Sequence, residues 1–332
     1  MLDKQGLKNL SLALYENKNF SENGVNGNDV MRKIIFDALH LPEDAKGIEI
    51  KRAYDKHKTE MFEVIDVAVD ALLPTILKNE FDSLANFHNI QIGDVIRFNN
   101  RNKDLFRVAR IAAGTKDIRR QTGLGSSYTI ETDWYGAATY VEFEQFLTGQ
   151  VDWNEFVQRI ADSFSAFIAN QIFTAISNSY DGLRTTLKAT ASFSMDQLLK
   201  LVRQVRVQSG TSDVTVYGTT GALSKVLAGL EMSSNMRDEF NRLGYLTTIQ
   251  GVKFVAFPDA LKPGTNELLV GDDTLLIIPS NEKIVDVVTE GATYTYEMTP
   301  EDNHALQMDF KTTKRLGIGV RQAAVYGFYK LT

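Results

Sequence analysis

Residues 97–121 read RFNNRNKDLFRVARIAAGTKDIRRQ. Eight Lys/Arg stand against two Asp, with two Phe among them. The stretch carries +6, and since the whole chain of 332 residues carries −6, the remainder carries −12. The apolar residues alternate. In GDVIRFN, Ile96 and Phe98 alternate with Val95 and Arg97, and in LFRVARI the residues Phe106, Val108 and Arg110 share one side. With NNRNKD as the turn between them, the pattern predicts a long β-hairpin. A hairpin of this length cannot bury both faces on its own body and is marginal alone. It needs a partner. A nucleic-acid surface wants cations held on a rigid face. The acidic remainder of a second copy is the partner always at hand, which favours self-association. The cations offered to a neighbour are Arg97, Arg101, Lys103, Arg107, Arg110, Lys116, Arg119 and Arg120, and the acidic candidates to receive them are Glu131, Asp133, Glu142, Glu144, Asp152 and Glu155.

Outward from the hairpin the period changes. Upstream, Phe62, Ile65, Val69, Leu72, Leu73, Ile76 and Leu77 predict a helix over about 53–80, which Pro74 should kink or split. Downstream, YTIETDWY and ATYVEFEQF alternate as strands. From 151 the spacing of Phe156, Ile160, Phe164, Ile168 and Ile172 is helical again, opened by a D-x-x-E cap at Asp152 and Glu155. This helix runs to about Tyr180, some 42 Å of rod, more suited to a flat, extended body than to a sphere. Two shorter helical pieces at 4–16 and 29–40, the second capped by Asp29, are separated by the turn formers SENGVNGN and suggest an arm.

After residue 194 helices and strands alternate as a self-contained α/β lobe, its first helix opened by a capping box at Ser194 and Gln197. Its strands are DVTVYG, GVKFVAF, ELLVG, TLLIIP and KIVDVV. RLGIGVRQ and AAVYGFYKL close the chain in β pattern. Gly317 and Gly319 lie on one side of their strand, where glycines let another backbone come close.

Composition narrows the chemistry. Without cysteine there are no disulfides, thiolate metal sites or Cys nucleophiles. The four histidines (His40, His57, His88, His304) show no metal-ligand spacing, so no metal or cofactor is expected. No run approaches the roughly 20 apolar residues of a membrane span and the N-terminus is no signal peptide, so a soluble cytoplasmic protein is expected. Two motifs hint at an enzyme acting on nucleotides or nucleic acid. One is the glycine turn of VTVYGTTGALSKV; the other is the Asp272–Asp273 pair. The first lacks the Lys-Ser/Thr of a phosphate loop and the second fits a hairpin turn.

The order of parts resembles the major capsid protein of tailed bacteriophages. The shared features are an N-terminal arm, a helix, a long polar hairpin, the spine helix VDWNEFVQRIADSFSAFIANQIFTAISNSY, an α/β lobe containing GYLTTIQGVKFVAFPD, and the closing strands RLGIGVRQAAVYGFYKL. The resemblance implies an α+β chain with the HK-97-like capsid fold. Its parts would be an arm (1–52), a helical segment of the peripheral domain (53–90), the extended loop (91–130), the peripheral domain with its spine helix (131–193), an axial domain (194–292) and C-terminal strands returning to the peripheral domain (293–332). It further implies a non-enzymatic shell subunit of an icosahedral, DNA-filled virus head, assembled as pentamers and hexamers. A separate scaffolding protein, a portal and weak contact with packaged DNA would accompany it, with assembly in the host cytoplasm and residence in the virion. Encapsulin nanocompartment shells are similar in fold. Some family members crosslink through a loop lysine, a place Lys103 or Lys116 could take, but no partner residue matches.

Overall fold

The computed structural model describes residues 4–16, 21–22, 25–42, 44–100, 106–111, 120–123, 125–142, 145, 148, 151–227, 233–257, 262, 265–280, 282–297, 307–321 and 324–332. The chain begins with α1 (Lys4–Glu16), a short β1–β2 hairpin (Ser21–Glu22 and Val25–Asn26) and α2 (Gly27–Ala38). These are not a detached arm. Leu7 and Leu14 of α1, and Met31, Ile35 and Phe36 of α2, are buried in the main core. An amphipathic helix buries its apolar stripe wherever a groove accepts it. The turn formers between the two mark a connection and nothing more.

The helix α3 (Ile48–Phe81) runs unbroken for 34 residues, about 51 Å, with Pro74 inside it. Proline costs one rung of the ladder, but burial of Leu72, Leu73, Ile76 and Leu77 on either side holds the rod together. The second long helix, α4 (Trp153–Asn178), starts as its sequence dictates: the Asp152 carboxylate accepts the Glu155 N–H at 2.9 Å. α3 and α4 pack together, with Phe81 against Phe173 edge to face at 6.1 Å.

Both helices cover a four-stranded sheet ordered β3–β12–β13–β6, made of β3 (Ala85–Ile90), β6 (Asp133–Glu142), β12 (Val285–Glu297) and β13 (Gln307–Val320). β12 lies parallel to β3 and antiparallel to β13, which in turn lies antiparallel to β6. The KIVDVV segment thus pairs here and not in the α/β lobe, since Val285 and Val287 are wholly buried under the long helices. Between β3 and β6 the chain departs through β4 (Arg97–Asn100) and returns through β5 (Ser126–Thr129), which pair antiparallel from Arg97↔Thr129 to Asn100↔Ser126.

The second lobe is a six-stranded sheet ordered β7–β14–β11–β8–β10–β9, made of β7 (Lys188–Ala191), β8 (Val214–Gly218), β9 (Thr248–Ile249), β10 (Val252–Ala256), β11 (Thr274–Pro279) and β14 (Gly327–Leu331). Its helices are α5 (Met195–Ser209), α6 (Thr220–Lys225) and α7 (Ser234–Leu243). The ELLVG segment forms no strand beyond an isolated bridge at Leu268. The last strand does not return to the four-stranded sheet, as the resemblance had implied, but joins the six-stranded one. Phe328, Tyr329 and Leu331 are buried, and a strand apolar on both faces fits the centre of a covered sheet. The Ser194–Gln197 box is replaced by a bridge. The Ser194 N–H donates to the buried Tyr329 hydroxyl at 3.0 Å, and Gln197 Oε1 lies 3.3 Å from that hydroxyl.

Candidate functional site: the projecting loop and its anchor

The β4–β5 ladder is the root of the projecting loop, and buried carboxylates fasten it to β12. Phe98 and Tyr128, opposite each other in the ladder, stack at 5.3 Å, and His88 of β3 meets Phe98 edge to face at 5.2 Å. The Tyr128 hydroxyl donates to Asp286 Oδ2 at 3.0 Å. Asp286 is completely buried. Arg321 grips it with two bonds, Nε to Oδ2 at 3.0 Å and Nη2 to Oδ1 at 2.7 Å, while His88 Nε2 and Asn86 Nδ2 reach Oδ1 at 3.2 and 3.3 Å. Burial alone would raise the Asp286 carboxyl. The bonds from Arg321, His88 and Tyr128 outweigh it and hold the group below the usual carboxylate range. Burial and the neighbouring Asp286 push the Tyr128 hydroxyl up to about 12, so it stays a donor.

A second carboxylate, Glu290, holds both flanks of the root. Its Oε1 accepts the Gly93 N–H at 2.9 Å and Arg315 Nη1 at 2.8 Å, and its Oε2 accepts the Thr132 hydroxyl. The Gly93, Thr132 and Arg315 contacts keep Glu290 below its ordinary value. Arg315 Nη2 also reaches the Thr132 carbonyl at 3.1 Å. Gly317 and Gly319 lie under the returning chain: a Cβ on Gly317 would sit 2.4 Å from the Glu131 carbonyl, and one on Gly319 3.0 Å from Ile130. Alternating hydropathy could not reveal these clamps. Acids at 286 and 290 inside an apolar strand, with Arg315 on the next strand and Arg321 just past its end, were the available signal.

Beyond its root the loop differs from the hairpin its alternation suggested. Residues 106–111 form no strand. A ladder needs a backbone partner, and across from Arg107 stands a side chain: Gln121 Oε1 accepts the Arg107 N–H at 2.8 Å and its Nε2 donates to the Arg107 carbonyl at 3.0 Å. Phe106, Val108 and Ile111 are exposed, Val108 at 93%. Arg107, Arg110 and Arg120 are exposed beside them, and among the described residues no carboxylate pairs with these three. Arg97 lies in the root ladder. Arg101, Lys103, Lys116 and Arg119 lie outside the described residues, as does Glu144. Of the acidic candidates, Glu131, Asp133 and Glu142 are exposed, Asp152 caps α4, and Glu155 faces Arg159 at 3.7 Å. Among the described residues nothing brings the loop cations to these acids.

The two enzyme-like motifs meet and cancel. Thr219 caps α6, accepting the Ala222 N–H at 3.1 Å, and donates to Asp272 Oδ1 at 2.5 Å. Lys225 Nζ donates to the Asp272 carbonyl at 2.7 Å. A carboxylate of the chain itself occupies the place a phosphate would take, close enough that a Cβ on Gly221 would lie 2.4 Å from it. Asp272 and Asp273 make no metal-binding group with a third ligand among the described residues. His40 and His57, 17 residues apart and without ligand spacing in the sequence, converge with Glu60. His304 lies outside the described residues. No helix among the described residues is long and apolar enough to cross a membrane.

Two long helices over a four-stranded sheet, a separate six-stranded lobe and a loop rooted on the first sheet together make an α+β chain of the HK97-like fold. Residues 38–330 match the family described as "SPbeta prophage-derived putative capsid protein YonB", and the chain belongs to that family. Among solved structures, the mature capsid of bacteriophage PhiM1 is similar with a TM-score of 0.53 at 13% identity, over 76% of this chain and 86% of that one. The satellite phage P4 procapsid, solved with its size determination (Sid) protein, is similar with a TM-score of 0.50 at 11% identity, over 79% of this chain and 90% of that one. At such identities the likeness is one of fold. No curated protein matches by sequence.

Proposed function

We propose that this capsid protein is the repeating subunit of an icosahedral, DNA-filled phage head, and that neighbouring copies are tied together by the loop between Asn100 and Ser126. The observation that carries this is a root fastened by buried carboxylates, from which the described loop residues stand exposed. Asp286 and Glu290 fix the base, while Phe106, Val108, Ile111, Arg107, Arg110 and Arg120 are exposed. Side chains of this kind are covered when an acidic, partly apolar surface of the next subunit lies under them. Electrostatic steering brings the loop in, and apolar burial then seals the contact.

In this reading residues 53–90 and 131–193 form the peripheral domain, 91–130 the extended loop and 194–292 the axial domain. Two exchanges follow from the sheets: β12 joins the peripheral part and β14 the axial part. The subunit is structural, not catalytic. Pentamers and hexamers of it assemble in the host cytoplasm on a separate scaffolding protein around a portal, and the finished shell touches its DNA weakly.

Reversing Arg107, Arg110, Arg119 and Arg120 to Glu tests the docking. Each reversal removes two charges, so the stretch 97–121 goes from +6 to −2. The variant should keep its circular dichroism and unfolding transition yet form no particles by negative-stain microscopy. Particles of normal size from this variant would sink the electrostatic docking.

A further inference from the structure

We propose that His40, His57 and Glu60 form a binding site for one first-row divalent transition-metal ion, Zn2+ foremost, which staples the turn after α2 to α3. His57 and Glu60 stand three residues apart on one face of α3, a spacing that fixes both side chains on a rigid support. His40 arrives from the other side. His57 Nδ1 lies 3.1 Å from Glu60 Oε1, and His40 Nε2 lies 3.3 Å from Glu60 Oε2. The two imidazoles meet edge to face at 4.5 Å, and ligand atoms of all three residues fall within 4.8 Å of one another. With metal–ligand bonds of about 2.0–2.1 Å, two ligands on a tetrahedral zinc ion sit roughly 3.3 Å apart. Whichever carboxylate oxygen binds, one edge from it to an imidazole nitrogen is therefore already near that length. All three side chains are partly open to water, so an ion can enter and keep a water ligand.

The backbone at His40 supplies an independent reason. α2 ends in a doubly bonded turn, with the Leu41 N–H donating to the Phe36 carbonyl at 2.8 Å and the His40 N–H to the Asp37 carbonyl at 3.1 Å. This is the arrangement in which the residue after the cap turns left-handed, and His40 has φ 56°. Glycine takes that position at least cost. Histidine there accepts the strain and gains one thing glycine cannot offer, an imidazole aimed at α3. Two imidazoles and one carboxylate suit zinc, nickel, cobalt or copper and not magnesium or calcium, which want oxygen ligands. The consequence is mechanical. An ion held here joins the N-terminal helices to the longest helix of the main core.

The test uses the full chain after treatment with a chelator, titrated with ZnCl2 and separately with MgCl2 in a calorimeter and in thermal unfolding. One Zn2+ per chain and a raised Tm are expected, with no response to Mg2+. Co2+ should give the visible absorption of a low-symmetry four-coordinate site. Glu60→Gln and His57→Gln should each weaken Zn2+ binding by roughly tenfold or more. His40→Gly is the decisive variant. It should keep or raise the metal-free Tm, because glycine fits the left-handed cap, yet lose the Zn2+-induced rise. No calorimetric binding of Zn2+ to the unaltered chain, or a His40→Gly chain that retains the full affinity and Tm rise, would overturn the site. Neither result depends on whether particles form.

Discussion

Replacing Asp286 with alanine should release the loop root from the sheet. The carboxylate is buried and accepts from five donors: two nitrogens of Arg321, His88 Nε2, Asn86 Nδ2 and the Tyr128 hydroxyl. Removing one partner of a buried ion pair costs about 3–5 kcal/mol, because the other charge is left uncompensated. Arg321 is a third exposed and can turn towards water, so the lower end, about 3 kcal/mol, is the expected loss. Urea unfolding followed by tryptophan fluorescence measures the global part, as Trp134 and Trp153 sit on β6 and α4. Trypsin cleavage between Arg97 and Arg120 measures the local part and should accelerate, since Tyr128 loses its acceptor and the β4–β5 ladder its tie. A double change, Asp286→Leu with Arg321→Met, should recover much of the loss, because no unpaired charge remains. The folded-state value of Asp286 is depressed. The stabilisation is therefore present above the unfolded carboxylate value near about 4, and is lost only as pH falls through the lower folded value. The root should hold through mild acid. If Asp286→Ala left both the urea midpoint and the cleavage rate at wild-type values, the idea that this carboxylate fastens the loop would be refuted.

Three further outcomes follow from the same geometry. Burial, with Asp70 adding to it, pushes the Asp66 carboxyl up to about 6 against the pull of Thr295 and Lys314. The unfolded chain loses that proton near pH 4 and the folded chain near 6, so this group costs stability as pH rises between the two. Asp66→Asn should therefore raise stability at pH 7 by about 1–2 kcal/mol after discount for partial exposure, and change it little at pH 4, as pH-dependent urea titrations would show. Gly317→Ala puts a Cβ 2.4 Å from the Glu131 carbonyl, and should cost about 1–3 kcal/mol and displace the returning chain, measurable by unfolding and by hydrogen exchange at 130–133. Tyr329→Phe strips the hydroxyl that serves Ser194, Ser192 and Gln197, and should cost about 1–3 kcal/mol in the six-stranded lobe by the same unfolding assay.

Much of the fold was legible because it rests on local rules. The spine helix announces itself through Phe156, Ile160 and Phe164 and the cap at Asp152, and the structure keeps both. The projecting segment announces itself through charge, since eight cations in 25 residues have no place in a core. Its internal form was not legible. Alternation in LFRVARI describes a strand that has no backbone partner among the described residues, and the Gln121 side chain stands in for one. Sheet membership failed for a related reason. The segments at 283–288 and 327–331 are mostly apolar, with Lys283, Asp286 and Lys330 their only charged residues, and a mostly apolar strand fits any covered sheet equally well until its neighbours are fixed.

The sequence by itself determined where helices start, where the period changes and where positive charge is concentrated, because each depends on residues only a few positions apart. Tertiary structure alone decided that Asp286 meets Arg321 and Tyr128, that Glu290 ties Gly93 to Thr132, and that His40 reaches His57. Those pairings join residues 17 to 197 positions apart in the chain, and buried charges and ligands find their partners through the packing of whole elements, which no short-range spacing encodes.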